Sequence, residues 1–528
     1  MGDHRGNNGG ERSDENSDRV PTPPREGSAG DPRDGEIIIG FSDDVSDLEA
    51  EARAAAPSGS NVLRVNERLD AVLVELPDSA AMADTMAGLD SQDGVEFAEE
   101  NVIVSADDVG PAAAVETATT LGSSEVTIAV LDQGVKYDHE DLAPNMDDSV
   151  QNFGVDFAGT STELGEYPGE DTDPYPKKFE AGEPWYENDT EAHGTQVAGI
   201  SAARADNGTG VSGISNCSIL SVRVLGTSGS GSGFDIADGI SWAVDFGADV
   251  VNLSLGSPGE ADIYDRAVEY ADENGVLTVA SAGNGSTERE EYGPGSQVHL
   301  GVSAVESGDD STLAGFSNTG DYVDLTAPGT SYFNTETTYP ADLETGDPST
   351  DTYTGFSGTS MSAPVVSGVA GLALSADPDL TLDELVRVLE TGARDVGLTE
   401  KEQGAGHVDA ANAVDPPLTL DVTGDSINPG GTAEIGVETT GAGTVTVEDI
   451  WTDWGVGSTD TDAPTVTNDV VEAGQVEFSW DDKQLATSPV LALDVPSRYA
   501  GGRYVLTVTA KNDETTVTDT VTVEITSE

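Results

Sequence analysis

The chain has 528 residues, of which 36% are hydrophobic and 62 are glycine, a composition that indicates a globular protein with roughly three to four folding units. Its 99 acidic and 22 basic residues give a formal net charge of −77. This charge excludes a general nucleic-acid binder, because phosphates are bound through Lys and Arg, and it argues equally against attachment to anionic membranes. The single cysteine, Cys217, excludes an intrachain disulfide and is expected to be a small buried side chain.

The large excess of negative charge strains a compact fold through self-repulsion. Salt at about 1 M shortens the screening length to ~3 Å and removes most of that strain. Only six of the basic residues are lysines. An acid-rich, lysine-poor chain is similar to proteins of salt-loving microbes, and we interpret the charge as a solvating surface.

The first 35 residues contain almost no large apolar side chains, so we predict a disordered polar segment over residues 1–35. This segment shows no apolar stretch of the kind found in a signal peptide, and no run in the chain approaches the ~18 apolar residues of a membrane span. Residues 36–106 then predict a small β-α-β-α-β module. Its predicted elements are 36–41, 47–56, 68–76, 79–89 and 95–101.

Residues 107–415 alternate apolar strands with helices, which predicts an α/β domain with a parallel sheet flanked by helices. The predicted strands are 126–131, 219–224, 250–255 and 276–281. The predicted helical or strongly periodic elements are 194–203, 233–246, 261–274, 360–374, 381–391 and 408–413. After Pro416 and Pro417 the chain is rich in Thr, Val and Gly, and residues 417–528 predict an all-β sandwich-like domain.

Three short stretches of the α/β region carry residues with catalytic chemistry. Asp132 ends an apolar strand, where open α/β sheets bind ligands; His193 precedes a helix of small residues; Ser360 follows Gly-Thr and opens another helix. Each residue alone has an ordinary structural explanation, such as a helix cap or a solvated loop. Together they stand in the chain order Asp, His, Ser on an α/β frame, which is the order of subtilisin.

With these residues, the region 107–415 resembles the subtilisin-like serine proteases of the subtilase family. The resemblance extends to several further motifs along the region. They are Asn252-Leu253-Ser254-Leu255-Gly256, Ala280-Ser281-Ala282-Gly283-Asn284-Gly285, Ala327-Pro328-Gly329 and Gly404-Ala405-Gly406-His407-Val408-Asp409. Residues 36–103 resemble the inhibitory propeptide of the same family, and the acidic composition and extra β domain are similar to the halolysins of haloarchaea.

The resemblance implies a serine endopeptidase with a triad, no organic cofactor, and protein or peptide substrates. Ser360 would be the nucleophile, His193 the general base and then acid, and Asp132 the residue that orients the imidazole. The Ser360 backbone N–H and the Asn284 side chain would stabilise the oxyanion. Gln133 and Gln196 depart from the usual residues of the family at their positions, and we expect both to be peripheral to proton transfer.

Substrate binding is expected to use strand addition, in which Ser254, Leu255 and Gly256 pair with an extended peptide. Ala282 and Gly283 would form a wall of the pocket for the residue that precedes the cleaved bond. Glu288, Glu290 and Glu291 lie just downstream. They could favour basic side chains in the substrate, but a solvated acidic loop is the simpler interpretation.

The family resemblance also implies a structural Ca²⁺ site. Asp141 would supply a carboxylate, Asn207 a side-chain amide, and Thr209 and Val211 their carbonyls, a mixed oxygen set that suits Ca²⁺. A long insertion follows Asp132 and holds 13 acidic residues between positions 147 and 191. It could bind hard cations or form a charged surface loop. His139, His299 and His407 are expected to be structural.

The resemblance further implies that the chain is a self-processing, monomeric precursor whose own propeptide is an intramolecular inhibitor, with no nucleic-acid or membrane partner. Family members of this kind are exported, so we expect an extracellular enzyme, with a cytoplasmic one as the alternative because no signal peptide is visible. A catalytically inactive subtilase-fold scaffold is the competing function. Such a scaffold would normally lack a triad residue or the oxyanion asparagine, and all four are present.

Overall fold

The computed structural model describes residues 32–42, 45, 47–77, 82–89, 92, 94–106, 121–158, 173–176, 193–226, 229–330, 332–336, 352–450, 454–460, 465–468, 475–480, 485–499, 502–512 and 515–526. Of the predicted disordered segment 1–35, only residues 32–35 are described, and these begin a β-strand, so the prediction of disorder is wrong for them. Most of the acidic insertion lies outside the described residues.

The first folded part, which we call the N-terminal module, is an antiparallel sheet with two helices. Its elements are β1 Pro32–Phe41, α1 Leu48–Ala55, β2 Asn61–Asn66, β3 Ala71–Glu75, α2 Met82–Leu89 and β4 Val95–Ala106. The strand order is β4-β1-β3-β2. The predicted β-α-β-α-β order is wrong in one element, because β2 was missed. This edge strand is only partly buried and includes a charged Arg64, so it lacks the apolar alternation that predicts a strand.

The central domain contains a mostly parallel eight-stranded sheet with helices on both faces, which confirms the predicted fold class. Its strands are β5 Thr127–Asp132, β6 Gly154–Asp156, β7 Ser218–Arg223, β8 Ser230–Ser232, β9 Val250–Leu253, β10 Leu255–Pro258, β11 Leu277–Ser281, β12 Tyr292–Gly293, β13 Leu300–Glu306, β14 Asp309–Leu313, β15 Leu325–Pro328, β16 Tyr332–Glu336 and β17 Thr352–Phe356. Its helices are α3 His193–Ala202, α4 Gly233–Asp245, α5 Asp262–Glu273, α6 Thr359–Ala376, α7 Leu382–Gly392, α8 Glu400–Gln403 and α9 Ala410–Val414. The order of the main sheet is β14-β13-β11-β9-β5-β7-β6, with β15 paired to β13.

Two hydrophobic cores lie on opposite faces of this sheet. One is built mainly from α3, α6 and α7 and contains Cys217, which is fully buried as expected. The other is built from α4 and α5, and it also takes in Ile38, Leu73 and Phe97 of the N-terminal module. The module therefore shares a core with the central domain and covers its two outer helices, as expected of elements that must bury an apolar face.

Helix α6 lies at the centre of the first core. It is the one helix among the described residues that is long and apolar enough to cross a membrane by length and composition, and 83% of it is buried within the fold. Its apolar character is thus explained by packing against the sheet. This packing holds its first turn, which includes Ser360, in a rigid position.

The C-terminal domain is a sandwich of two sheets around its own core, as predicted. Its strands are β18 Asp421–Thr423, β19 Ser426–Ile427, β20 Thr432–Thr440, β21 Thr444–Glu448, β22 Gly455–Asp460, β23 Thr465–Asn468, β24 Val476–Ser479, β25 Ala486–Thr487, β26 Val490–Asp494, β27 Gly502–Lys511 and β28 Thr516–Ile525. The sheet orders are β18-β20-β26-β22, with β25 on β20, and β19-β28-β27-β21-β24-β23. Arg387 of α7 bridges to Glu438 and Ser488, which ties this domain to the central one.

Candidate active site

The three residues with catalytic chemistry lie at the ends of three elements of the central domain. Asp132 is the last residue of β5, His193 the first of α3, and Ser360 the second of α6. All three side chains are buried, at 0%, 3% and 0% exposure. Helices α3 and α6 pack against each other on one face of the sheet, and both begin where parallel strands end, the edge at which α/β folds build their sites.

Asp132 and His193 form a buried carboxylate–imidazole pair. The imidazole Nδ1 lies 2.8 Å from Asp132 Oδ2 and 3.0 Å from Oδ1. The Oδ1 atom also accepts a hydrogen bond of 2.7 Å from the Gln133 backbone N–H, which fixes the carboxylate. Because a carboxylate can only accept, the imidazole carries its proton on Nδ1, and Nε2 is left as the basic nitrogen.

The Ser360 hydroxyl is buried, and it makes no hydrogen bond to any described residue. Its backbone, by contrast, is tightly held. Ser254 Oγ donates to the Ser360 carbonyl at 2.9 Å and accepts from Asn252 Nδ2 at 2.9 Å, while Ser367 Oγ donates to Asn252 Oδ1 at 2.9 Å. This buried chain of hydrogen bonds ties the Ser360 backbone to the strands β9 and β10. Hydrogen bonds to a nucleophile are often long in the free enzyme and tighten once substrate is bound.

The amide of Asn284 is oriented by Thr359, the residue before Ser360. Asn284 Oδ1 accepts from the Thr359 backbone N–H at 2.9 Å and from Thr359 Oγ1 at 3.0 Å. Since an N–H group can only donate, the oxygen must face Thr359, and the NH₂ group must face the other way. Asn284 Nδ2 is buried, and it has no hydrogen-bond partner among the described residues. Such a preorganised donor is what an oxyanion requires.

The cleft beside these residues is filled by the last strand of the N-terminal module. β4 pairs antiparallel with β10 on one side, with Leu255 opposite Ala106 and Gly256 opposite Ser105. On the other side it pairs antiparallel with β8, with Ile103 opposite Ser232. The predicted peptide-binding residues of β10 therefore take part in strand addition in the structure itself.

The second predicted wall of the cleft follows β11. The Gly283 N–H donates to Thr359 Oγ1 at 3.0 Å, so this wall is joined to the residue that orients Asn284. The Ala282 carbonyl accepts from Asn318 Nδ2 and from the Tyr322 hydroxyl, both at 2.9 Å. Glu288, further along, binds Lys401 at 2.8 Å, so this carboxylate faces a lysine of the chain.

Docking of the module places a carboxylate on the N-terminus of α5. Glu99 accepts hydrogen bonds from the backbone N–H groups of Asp262, at 2.7 Å, and Ile263, at 2.9 Å. A negative side chain at a helix N-terminus is favourable, but burial opposes its charge. Burial is the larger effect and raises the pKa of Glu99 from 4.5 to about 7, helped by the nearby charge of Asp262.

Arginines complete the contact between the two acidic parts. Arg64 of β2 bridges Asp235 and Asp238 of α4 and lies 5.1 Å from the ring centroid of Phe234. Burial raises the pKa of Asp238 to about 6 in spite of this arginine. Arg266 of α5 donates to the carbonyl of Phe41 at 3.0 Å and to that of Leu69 at 2.7 Å, and pairs with Glu96.

The residues expected to hold Ca²⁺ lie together around one carboxylate. Asp141 accepts hydrogen bonds from Asn207 Nδ2 at 2.6 Å, Thr209 Oγ1 at 3.3 Å, the Val211 N–H at 2.9 Å and the Tyr353 hydroxyl at 2.8 Å. Gly210 has φ +47°, and a Cβ atom on it would overlap Asp141 Oδ2, so the loop fits closely around this carboxylate. The described residues contain no group of three or more His, Cys, Asp or Glu that could hold a metal.

In the structure Asn207 turns its Nδ2 towards Asp141 while its Oδ1 accepts from the Thr209 N–H at 2.9 Å, so this amide must turn over before its oxygen can reach an ion. The ligands would then be the Asp141 carboxylate, the Asn207 amide oxygen and two backbone carbonyls. This oxygen set with a single negative charge is compatible with Ca²⁺. An ion there would replace hydrogen bonds that Asp141 accepts from Asn207 and Thr209 in the structure.

The two glutamines expected to be peripheral and the three histidines expected to be structural all lie within the fold. Gln133 Nε2 donates to the Gly226 carbonyl at 3.1 Å, while Gln196 is buried within α3. Burial lowers the pKa of both His299 and His407. The remaining histidine, His139, is fully buried and packs edge-on against Tyr353, with ring centroids 5.2 Å apart.

Three positioning residues were not singled out from the sequence: Thr359, Asn252 and Ser367. Thr359 stands within the motif that identified Ser360, but its role depends on Asn284, which lies 75 positions earlier in the chain. Of the acidic insertion, Asp156 forms a buried pair with Arg223 at 2.9 Å. This pair neutralises one carboxylate of the insertion without a metal ion. The insertion's residues 159–172 and 177–191 lie outside the described residues.

Comparison with known proteins adds an independent finding. Residues 123–407 match the Subtilase family, and residues 18–101 match the Fervidolysin N-terminal prodomain. The family match covers more than half of the chain. It includes all the residues of the hydrogen-bonded site described above.

Three relatives illustrate the similarity. The chain is 39% identical over 399 residues, 72% of its length, to the Halolysin-like extracellular serine protease Nep of Natrialba magadii, of which it covers 68%. It is 39% identical over the same share to the Halolysin of Haloferax mediterranei, of which it covers 70%. Among solved structures, proteases from Pseudoalteromonas arctica match 56% of this chain and 91% of theirs at 34% identity, with a TM-score of 0.47.

Proposed function

The chain belongs to the subtilase family and is a serine endopeptidase with an N-terminal prodomain, and on this premise we propose that Asp132, His193 and Ser360 hydrolyse peptide bonds through an acyl-enzyme intermediate. The prodomain is the N-terminal module described above. The observation that carries the proposal is strand β4, which lies in the cleft beside Ser254 and Ser360 in the way an extended substrate would.

The first half of the reaction forms the acyl-enzyme. His193 Nε2 takes the proton of the Ser360 hydroxyl as its oxygen attacks the carbonyl carbon. Negative charge then develops on the carbonyl oxygen, where Asn284 Nδ2 and the Ser360 backbone N–H donate hydrogen bonds. Asp132 stabilises the imidazolium without taking its proton. When the tetrahedral intermediate collapses, His193 returns the proton to the leaving amine.

The second half repeats these roles with water. His193 removes a proton from the water that attacks the acyl carbon, and Ser360 leaves with that proton restored to its oxygen. No organic cofactor is needed for either half. Substrate enters as a strand that pairs with Ser254, Leu255 and Gly256, in the position held by β4 in the precursor.

We predict that Ser360→Ala abolishes peptide hydrolysis and leaves the precursor uncut. Loss of a triad nucleophile lowers turnover by about 10⁶-fold, whereas Asn284→Ala should lower it by about 10²–10³-fold and slow processing.

The paired part of β4 ends at Ala106. Intact-mass measurement of the wild-type protein should therefore find the new N-terminus within a few residues after Ala106.

A fluorophosphonate probe should label wild-type Ser360 and fail to label Ser360→Ala. Normal trimming of Ser360→Ala in a host without extracellular proteases would contradict self-processing. A folded wild-type protein that takes no probe and cuts no peptide would instead support the inactive scaffold.

We propose that the prodomain inhibits the enzyme until it is released, and we predict that release becomes easier as pH rises. Glu99 has an ordinary pKa of 4.5 when free and about 7 when docked, so docking takes up a proton. Its contribution to the complex is therefore fully present below about pH 4.5 and is lost as pH rises towards 7. Size-exclusion chromatography of the self-cleaved protein should show more bound prodomain at pH 5 than at pH 8.

Glu99→Gln should flatten this pH dependence, because its side chain keeps the contact to α5 without a charge to bury. Glu51→Gln, on the exposed side of α1, is the matched control and should behave like wild type. An equal pH dependence in wild type and Glu99→Gln would assign the effect to other groups, of which Asp238 is the next candidate.

We propose that Ca²⁺ binds at Asp141, the Asn207 amide oxygen and the carbonyls of Thr209 and Val211, and that it stabilises the fold. A ligand at a hundredfold excess over its Kd stabilises the folded state by about 2.7 kcal/mol. Adding Ca²⁺ after chelation should therefore raise the melting temperature of wild type but not of Asp141→Asn. Asp206→Asn, exposed in the same loop, is the control. An equal shift in both variants would place the ion elsewhere.

We propose that the enzyme works outside the cell in concentrated salt. One relative carries the word extracellular in its name, and the net charge of −77 favours a high-salt medium. Labelling of active serine in the native host should find the protein in the culture medium. The labelling should weaken when salt is diluted from about 1 M to about 0.1 M, where the screening length grows from ~3 to ~10 Å. Labelling confined to the cell lysate would overturn the extracellular assignment.

A further inference from the structure

The space between the two walls of the cleft contains the side chain of Tyr292. One wall is β10 and the other is the segment after β11 that holds Ala282 and Gly283. A Cβ atom built on Gly256 would overlap the Tyr292 ring, and one built on Gly283 would lie 2.5 Å from its Cζ atom. Tyr292 is only 6% exposed, and its strand β12 pairs with β10. The phenol ring is thus packed against both walls.

This ring limits the size of the side chain that can enter. A substrate strand on β10 must point the side chain that precedes the cleaved bond between these walls, near Ser360. Protein interiors are close-packed, and a large side chain forced into a filled space costs stability. Aromatic and long aliphatic side chains are therefore excluded unless Tyr292 moves, while short side chains such as Ala, Ser and Asp fit above the ring.

A cation lies at the same place. The guanidinium of Arg289 is 5.8 Å from the Tyr292 ring centroid, and its Nη2 lies 3.4 Å from the position of a Cβ on Gly285, the residue after Asn284. The Arg289 Nε atom is buried without a hydrogen bond, and no carboxylate among the described residues pairs with this arginine. The neighbouring Glu288 is instead bound to Lys401.

An unpaired guanidinium is unexpected in this chain. Acidic residues outnumber basic ones by 99 to 22. Of the other arginines of the central domain, Arg223, Arg266, Arg387 and Arg394 form ion pairs with carboxylates, and Arg204 donates to the Asn145 amide oxygen. A cation left without one, beside the oxyanion residue, is available to a carboxylate that arrives with the substrate.

The segment at which the precursor would cut itself contains such carboxylates. Along β4, the step from Ser105 to Ala106 runs from the position opposite Gly256 to the position opposite Leu255, and so towards Ser254. Ser254 holds the Ser360 carbonyl. The sequence continues after Ala106 with two aspartates, Asp107 and Asp108. Cleavage one residue beyond the paired segment would therefore follow an aspartate.

We propose that Tyr292 and Arg289 form the subsite for the residue that precedes the cleaved bond, and that this subsite selects acidic residues, above all aspartate. Tyr292 sets the depth of the subsite, and Arg289 supplies the charge. The inference rests on the proposed peptidase function and names its substrate class. It makes Arg289 and Tyr292 specificity-determining residues of the same site.

The preference is compatible with concentrated salt. Ions at about 1 M screen charges beyond ~3 Å, but a guanidinium in direct contact with a carboxylate is closer than that. Arginine also binds carboxylates through two parallel hydrogen bonds, and the face of Tyr292 helps to hold the guanidinium in place. Such a contact is worth about tenfold to a hundredfold in selectivity.

The test uses the mature enzyme and a peptide series with the chain's own residues, acetyl-Val-Ser-Ala-Xaa-anilide, in which Xaa is Asp, Glu, Ala, Phe or Lys. We expect kcat/KM to be highest for Asp and Glu, lower for Ala, and lowest for Phe and Lys. Arg289→Gln should lower the ratio of Asp to Ala by about tenfold to a hundredfold. Arg289→Glu should lower kcat/KM for Asp below that for Ala, because a carboxylate would then face a carboxylate, while Lys stays poor because Tyr292 still limits the depth.

A variant that gains activity towards one peptide provides a test that misfolding cannot explain. Tyr292→Gly should raise kcat/KM for Phe relative to Ala, because it empties the space between the walls. Arg498→Gln, which removes an arginine that also lies over a tyrosine but in the C-terminal domain, is the control and should leave all ratios unchanged.

Three outcomes separate the claims. Wild-type preference for Phe or Lys, or an Asp-to-Ala ratio that Arg289→Gln does not change, would overturn the acidic subsite. A mature N-terminus at Asp107, meaning cleavage after Ala106, together with Ala preferred over Asp, would overturn it as well. Failure to cut any peptide or to take the fluorophosphonate probe would instead contradict the proposed function itself.

Discussion

Backbone pairing at the open edges of β8 and β10 is the constraint on which the cleft depends. An edge strand exposes N–H and C=O groups that seek a partner, and in this precursor β4 supplies one on each side. The same pairing fixes three things at once. It closes the cleft, holds the N-terminal module in place, and aligns a peptide with Ser360 through Ser254. In the proposed function, inhibition and substrate binding are therefore two uses of one hydrogen-bonding pattern.

Electrostatic repulsion opposes this arrangement, because the N-terminal module and the central domain are both strongly acidic and share an interface. Some of the chain's few cations lie at this interface and offset the repulsion. Arg64 and Arg68 of the module pair with aspartates of α4, and Arg266 of α5 pairs with Glu96. The Arg64 pairs are largely buried, so loss of either partner would leave a costly unpaired charge, whereas the more exposed pairs of Arg68 and Arg266 contribute less. These ion pairs thus fix how the module is aligned on α4 and α5. The exposed acidic surface only determines the salt concentration at which the fold is stable.

The sequence alone predicted elements whose apolar runs are continuous, such as β5, β7 and β11, and it placed Asp132, His193 and Ser360 at element ends. It missed β2, whose edge position leaves it partly polar, and the hairpin of β16 and β17, which lies apart from the main sheet. It also missed Tyr292 and Thr359. Their roles arise only when distant segments meet, as Tyr292 meets Gly256 and Gly283, and no local pattern records such a contact.

The orientation of one amide shows how such long-range contacts decide chemistry. Asn284 follows Ala282 and Gly283 after β11, and nothing in that stretch determines which way its amide turns. Thr359 determines it, because its N–H can bond only to an oxygen. Thr359 also accepts from the Gly283 N–H, so the segment beside Tyr292 and the Asn284 amide share one anchor. A side chain that strains the backbone at Gly283 would therefore also disturb the Asn284 amide, and in the proposed mechanism this links substrate selection to turnover through two hydrogen bonds.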